Sequence, residues 1–495
     1  MLKLGIRSRP ADPALPRIIP VREGQIPPRF AVVATRLGFS GKAGEIAEPT
    51  GATRSILLGL GHATTRRAVE AAGAAAAARL TEAPHIVLEA DPPVGATEIA
   101  WLAAGIALRS WRFDTHRTRD LTPGTQRLSV VAPQAKVARA AWARQEAAVR
   151  GCLFARDLVS EPANHLTTRR FAQRLEALAE FGIHVDVLGR KRLARAGFGG
   201  LLAVGGAADS PPRLAVLRWR GSFDAPPVAF IGKGLVFDTG GLSIKPAAGM
   251  EAMRADMAGA AACAGAMLAL ALRRSPAPAI AVLALAENAT GAASYRPSDV
   301  IHTLSGRTVE VVDTDAEGRL VLADALTFAA GMRPRAMVDV ATLTGAIISA
   351  LGHHRAGLFG NDAALMSALA AAGDAVGEPL WPMPIGAGHR ADLASDIADL
   401  RQCVPSARGE GGWPARFIPD ACHAAAFLRE FAGAAPWAHL DIAGVDTAEA
   451  PHALGPAGAT GFGVRLLDQL VEAQFETPDH HAPSAFPVAS ISGRV

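Results

Sequence analysis

"VEVVDTDAEGRLVLADAL", residues 309–326, sets Asp313, Asp315 and Glu317 at alternate positions between two aliphatic runs. Carboxylates drawn into apolar surroundings cost roughly several kcal/mol each unless they are protonated, paired or bound to a metal. The stretch therefore calls for positive charge nearby. A second stretch, "FIGKGLVFDTGGLSIKPAAGMEAMRADMAGAA", residues 230–261, carries both signs. It reads as an apolar strand ending at Lys233, a short second strand bearing Asp238, and a tight bend at Thr239, Gly240 and Gly241. Lys245 follows. Asp256 comes next, within an apolar helix whose Ala and Gly content predicts close packing on a sheet.

Taken singly, each of these charges reads as a salt bridge at the end of a sheet. As a set they point to a site, because the carboxyl ends of neighbouring strands in an open α/β sheet converge where ligands bind. Asp238, Asp256, Asp315 and Glu317 bring four negative charges. Two divalent cations neutralise that number and make a nucleophile from water at neutral pH. With no cysteine pair and no H-E-x-x-H motif, the donor set suits Zn, Mn or Mg held by oxygen.

Around this centre the chain reads as α/β. The runs "GIHVDVLG", "RLAVLRW", "VAFIGKG", "AIAVLALAE", "AMVDVATL" and "WAHLDIAG" alternate with helical segments. They predict a central mixed sheet covered by helices on both faces, spanning residues 159–478. Residues 1–135 alternate shorter apolar runs with Ala-rich helical stretches and read as a smaller α/β domain. Residues 136–158 read as a linking helix and residues 479–495, rich in Pro, Ser and His, as a flexible tail. At 495 residues, two domains are the expectation.

Composition excludes several classes. Half the residues are hydrophobic and 19% are charged, which excludes bulk disorder. A net charge of +4 with no basic stripe speaks against nucleic acid as a partner; "RKRLARAG", residues 190–197, reads as a solvated helix face. Cys152, Cys263, Cys403 and Cys422 lie scattered, so neither a disulfide framework nor a thiolate zinc site is indicated and a reducing cytoplasm fits best. Prolines interrupt the N-terminus, and no uncharged apolar window of about 18 residues appears, so no membrane association is expected. "LLGLGHAT" lacks the third small residue of a dinucleotide-binding turn, and "GKG" at 232–234 lacks the hydroxyl residue of a phosphate-binding loop.

"GKGLVFDTGGLSIKP", "MRADMAGAA" and "DTDAEGRLVLADAL", in this order, resemble the leucyl (cytosol) aminopeptidase family of dinuclear metallopeptidases. "RDLVSEPAN", "ATLTGA", "PWAHLDIAG" and "GATGFGVRLL" extend the resemblance over roughly residues 150–472. It implies a macro-like N-terminal domain, a homohexamer, and removal of Leu-like or other apolar residues from peptide N-termini by a hydroxide bridging two metals (Mn or Zn, with Co or Mg as options). Carried over by motif, Lys233, Asp238, Asp256 and Glu317 hold the tighter metal, and Asp238, Asp315 and Glu317 the exchangeable one. Lys245 stabilises the oxyanion. Arg319 stays protonated and cannot be the base, so its implied role is to hold bicarbonate as proton acceptor. Met253, Thr342, Gly345 and Ala443 form the implied pocket for the first side chain.

The chain departs from that pattern in three places. Asp313 stands where the family usually has Asn, and is expected to engage a backbone amide or a cation beside the metals. Residues 404–427 carry Trp413, Pro414, Arg416 and Phe417 where small residues are usual, which puts substrate range in question. Asp446 replaces a small or apolar residue of some relatives, a change that favours small or basic N-terminal residues. Two other functions remain open from sequence: a dipeptidase or conjugate hydrolase of restricted range on the same metals, and an added DNA-binding regulatory role.

Overall fold

The computed structural model describes residues 2–9, 11–51, 53–62, 65–119, 124–405 and 418–477. Trp413, Pro414, Arg416, Phe417 and the expected tail lie outside them. The chain divides into two compact units, Met1–Leu153 with Ala448–Thr460, and Phe154–Thr447 with the chain from Gly461 onward. A 26-residue helix, Ala135–Ser160, runs across the division.

The first unit holds a six-stranded sheet. Its strands are β1 (Lys3–Arg7), β2 (Arg17–Arg22), β3 (Ile46–Ala47), β4 (Ser55–Gly61), β5 (His85–Glu89) and β6 (Arg127–Val131), in the order β1-β6-β5-β2-β4-β3. All pairs are parallel except β3 with β4. Parallel strands need crossovers, and the Ala-rich runs supply them as helices Arg66–Ala78 and Ala96–Arg109. Both domains are α/β, as the alternation of runs predicts.

In the second unit the strands are β7 (His184–Leu188), β8 (Arg213–Trp219), β9 (Val228–Asp238), β10 (Ala279–Asn288), β11 (Val300–His302), β12 (Thr308–Glu310), β13 (Ala336–Ala341), β14 (Ala356–Gly360), β15 (Leu380–Pro382), β16 (Leu400–Arg401) and β17 (Trp437–Asp441). Eight of them form a mixed sheet in the order β15-β14-β17-β13-β9-β10-β8-β7, and β11, β12 and β16 form a small separate one. The central run β17-β13-β9-β10 is parallel, while β14, β8 and β7 pair antiparallel to their inner neighbours.

One strand, β9, replaces the two expected on either side of Gly234. Strand alternation sends Gly232 and Gly234 to one face and Ile231, Lys233 and Leu235 to the other. On the glycine face the helix Ala258–Leu272 comes so near that a β-carbon on Gly232 would lie 2.5 Å from the Ala260 α-carbon. The glycines therefore let a helix dock rather than break the strand. On the opposite face Ile231 and Leu235 share a core with Leu320, Val321 and Leu322 of helix Glu317–Gly331. Helices thus cover both faces of the sheet.

A second expectation also changes. Asp256 is not within the apolar helix; it falls between a 3₁₀ turn, Met250–Ala255, and the helix Ala258–Leu272. The segment Met250–Leu272 is long and apolar enough to cross a membrane, yet 94% of its apolar window is buried in this core.

Candidate metal centre

Four adjacent parallel strands end side by side at polar residues. β9 ends at Asp238, β10 at Asn288 and β17 at Asp441, and Thr342 directly follows β13. Asp238 and Asn288 are register partners, and Asn288 Nδ2 donates to Asp238 Oδ1 (2.7 Å) and to the Thr314 carbonyl (3.0 Å). That carbonyl also accepts from the hydroxyl of Tyr295, the single tyrosine of the chain (2.7 Å). The bend after Asp238 needs Gly240: its φ is 85°, and a β-carbon there would lie 2.9 Å from Asp315 Oδ1. Thr314 Oγ1 donates to the Gly240 carbonyl (2.7 Å) and accepts from the Ser243 N–H (2.8 Å), so the two acidic stretches are pinned together.

The five residues expected as metal ligands meet here. Lys233 Nζ lies 2.9 Å from Asp256 Oδ1 and 2.9 Å from Glu317 Oε1, and donates to the Thr342 carbonyl (2.8 Å). Lys245 Nζ lies 2.8 Å from Asp238 Oδ2 and also contacts Asp315. Carboxylate oxygens of Asp238, Asp315 and Glu317 lie within 4.8 Å of one another. Four carboxylates against two ammonium groups leave two formal negative charges unmatched. Among the described residues, the buried oxygens Asp256 Oδ2 and Glu317 Oε2 have no hydrogen-bond partner. Burial, reinforced by neighbouring carboxylates, pushes Asp256 and Glu317 up, and Asp315 up to about 7.

Unmet buried acceptors and excess negative charge are what a site for cations requires. Lys233 fits with a condition. Burial alone would lower its pKa, but Asp256, Glu317 and Asp238 outweigh burial and raise it. An amine binds a metal only through its free lone pair, so an ion at this position must take the place of the Lys233 proton.

A cavity of about 570 Å³ opens beside the cluster, lined by Ser243, Lys245, Asp315, Arg319, Gly345 and Asp420 among others. Of the four expected pocket residues, Gly345 lines it, with open space where a side chain would project. Met253, Thr342 and Ala443 are not among its lining residues. Thr342 instead donates through Oγ1 to Asp256 Oδ1 (2.8 Å), Ala443 packs against a small apolar cluster that includes Ile347 and Phe359, and Met253 is half-buried in the 3₁₀ turn. Asp446 accepts from backbone N–H groups of Gly444 and Thr447, and burial pushes its carboxyl up to about 6. Asp313 Oδ1 accepts the Asp315 N–H (2.9 Å), the backbone role expected of it.

Other residues of the site escaped the sequence reading. Gln402 Oε1 accepts the Val312 N–H (2.7 Å), and its Nε2 donates to the Ala316 carbonyl (3.0 Å). Asp441 accepts from the Leu343 N–H (3.1 Å) and from the Thr344 hydroxyl (2.7 Å), which fixes the turn carrying Gly345. Asp420 accepts from Arg319 Nη2 (2.9 Å). Position at a strand end was a usable signal for Asn288 and Asp441; Gln402 and Asp420 offered none.

Comparison with known proteins agrees with this geometry. The catalytic domain of the cytosol aminopeptidase family matches residues 153–468, and the family's N-terminal domain matches residues 28–120. A probable cytosol aminopeptidase of Brucella ovis is 41% identical over 466 residues, covering 91% of this chain and 92% of that protein. One of Gluconobacter oxydans is 43% identical over 448 residues, covering 88% and 89%. The solved structure of the bottromycin maturation enzyme BotP in complex with Mn superposes with a TM-score of 0.82 at 35% identity, covering 93% of this chain and 99% of that one. With matches to both family domains and a cluster of unmatched acids at the strand ends, the chain belongs to the cytosol aminopeptidase family and is a metal-dependent aminopeptidase.

Proposed function

We propose that the protein removes Leu-like or other apolar residues from the N-termini of peptides in the cytoplasm, using two divalent ions, Mn or Zn before Co or Mg. The observation that carries the reading is the meeting of Lys233, Asp238, Asp256, Asp315 and Glu317 in one cluster with unpartnered buried carboxylate oxygens. Lys233, Asp238, Asp256 and Glu317 would hold one ion, and Asp238, Asp315 and Glu317 the other. When bound, the ions supply an activated water and polarise the scissile carbonyl. Lys245 is the residue for the oxyanion, since it lines the cavity and its neighbours Asp238 and Asp315 outweigh burial to keep it cationic. Arg319 holds the anion that receives the proton of the attacking water, which in the family it resembles is bicarbonate. Met253, Thr342, Gly345 and Ala443 carry no charge, which suits an aliphatic first residue. The family resemblance supports a homohexamer.

The test is to strip the protein with chelator and follow Leu-amide hydrolysis after adding back Mn, Zn, Co or Mg. Activity is expected to vanish and return with metal, and full activity in the stripped protein would reject the reading. Light scattering on the same sample reads the assembly.

A further inference from the structure

Arg319 is buried in the first turn of helix Glu317–Gly331, and its guanidinium is committed on two sides. Nη1 donates to the Gln402 carbonyl (2.9 Å) and Nη2 to Asp420 Oδ1 (2.9 Å). Asp420 opens the helix Asp420–Arg429, lines the same cavity as Lys245 and Asp315, and leaves 35% of its side chain exposed there. Its second oxygen, Oδ2, takes no hydrogen bond among the described residues. A protein carboxylate therefore stands on the guanidinium, with one oxygen anchored and the other without a partner among the described residues.

Peptide hydrolysis needs a proton acceptor for the attacking water, and a guanidinium cannot be one. We propose that Asp420 is this acceptor, so that the reaction runs without a dissociable anion on Arg319. This rests on the aminopeptidase reading and deepens it. As the water oxygen bonds to the scissile carbon, its proton passes to Asp420 Oδ2. As the carbon–nitrogen bond breaks, that proton passes to the departing amine. One water is consumed, and Asp420 ends as the carboxylate it began as. Arg319 keeps the carboxylate aimed, and the chain supplies a group that would otherwise have to bind from solution.

The test uses the metal-loaded full chain in carbon dioxide-free buffer. Wild type is expected to hydrolyse Leu-amide at a rate that millimolar bicarbonate does not change. Asp420→Gly should lose about 100-fold in kcat with little change in KM, and bicarbonate or formate should restore much of it. Asp420→Asn keeps an oxygen for Arg319 but cannot take the proton; it should be as slow as Asp420→Gly and resist rescue. A purely structural Asp420 would instead tolerate Asn. A second readout is independent of turnover: line broadening of ¹³C-labelled bicarbonate should report binding to Asp420→Gly and none to wild type. Stimulation of wild type by bicarbonate, equal bicarbonate binding by wild type and Asp420→Gly, or full kcat in Asp420→Asn would overturn the proposal. If wild type hydrolyses no peptide with any metal, the aminopeptidase reading and the proton-accepting role fail together. Selective bicarbonate binding by Asp420→Gly would then still locate the carboxylate at the anion position.

Discussion

A β-carbon on Gly318 would lie 2.8 Å from Lys233 Nζ and 2.9 Å from its Cε. The glycine beside Glu317 is thus the space in which the Lys233 amine sits. Gly318→Ala should push that amine off Asp256 and Glu317. Misplacement of this size is expected to cost on the order of 100-fold in kcat/KM, with a matching loss of bound metal read by elemental analysis. Unchanged metal content and rate would show that the amine has room elsewhere.

Gln402 ties Val312, Asp313 and Ala316 together and so frames the loop that presents Asp315 and Glu317. Its side chain hydrogen-bonds backbone groups of that loop, so its effect should pass through the positions of the acidic side chains. Gln402→Ala is expected to raise the metal concentration for half-maximal activity by about 10-fold or more, with kcat at saturating metal less affected. A metal titration of both proteins checks this.

Asp339 and His439 are register partners on β13 and β17, both fully buried. His439 Nδ1 lies 2.5 Å from Asp339 Oδ1, and Trp437 Nε1 donates to Asp339 Oδ2 (2.7 Å). Asp339→Ala would strand two buried ring nitrogens and should cost about 3–5 kcal/mol in urea unfolding. Burial would lower the His439 pKa, but the Asp339 charge outweighs it and raises the value. The stabilisation is therefore complete below the unfolded value near 6.5 and is lost as pH rises through the folded one. The gap between wild type and variant should narrow on that alkaline side.

Asp324 joins the short helix Gly199–Val204 and the turn between β11 and β12 to helix Glu317–Gly331 by accepting the Leu201 N–H (2.9 Å) and the Leu304 N–H (2.8 Å). Burial pushes its carboxyl up to about 7 from the usual 3.8. Between those values the folded state holds a proton that the unfolded chain releases. This group's contribution to stability thus falls as pH rises, by up to about 1.4 kcal/mol per pH unit. Asp324→Asn should flatten that slope in unfolding measured from pH 4 to 7 relative to wild type; parallel slopes would contradict it.

The two acidic stretches were legible because their spacing is local. Asp315 and Glu317 flank one turn, Asp238 ends one strand, and a run of aliphatic residues on either side marks them as drawn inward. Gly234 misled because a glycine within a strand reads the same whether the chain breaks there or a helix presses against it. Asp256 was set in a helix because its neighbours are as apolar as those of the helix that follows, and only the 3₁₀ turn separates them.

By itself the sequence determined the α/β class, the charges that must share a site and the family, because these follow from residue type and short spacing. The tertiary structure alone decided that Gly318 makes room for Lys233 and that Arg319 meets Asp420 across 101 residues. Contacts between segments that far apart obey no spacing rule. They exist only where packing of the sheet and its helices brings the chain back on itself.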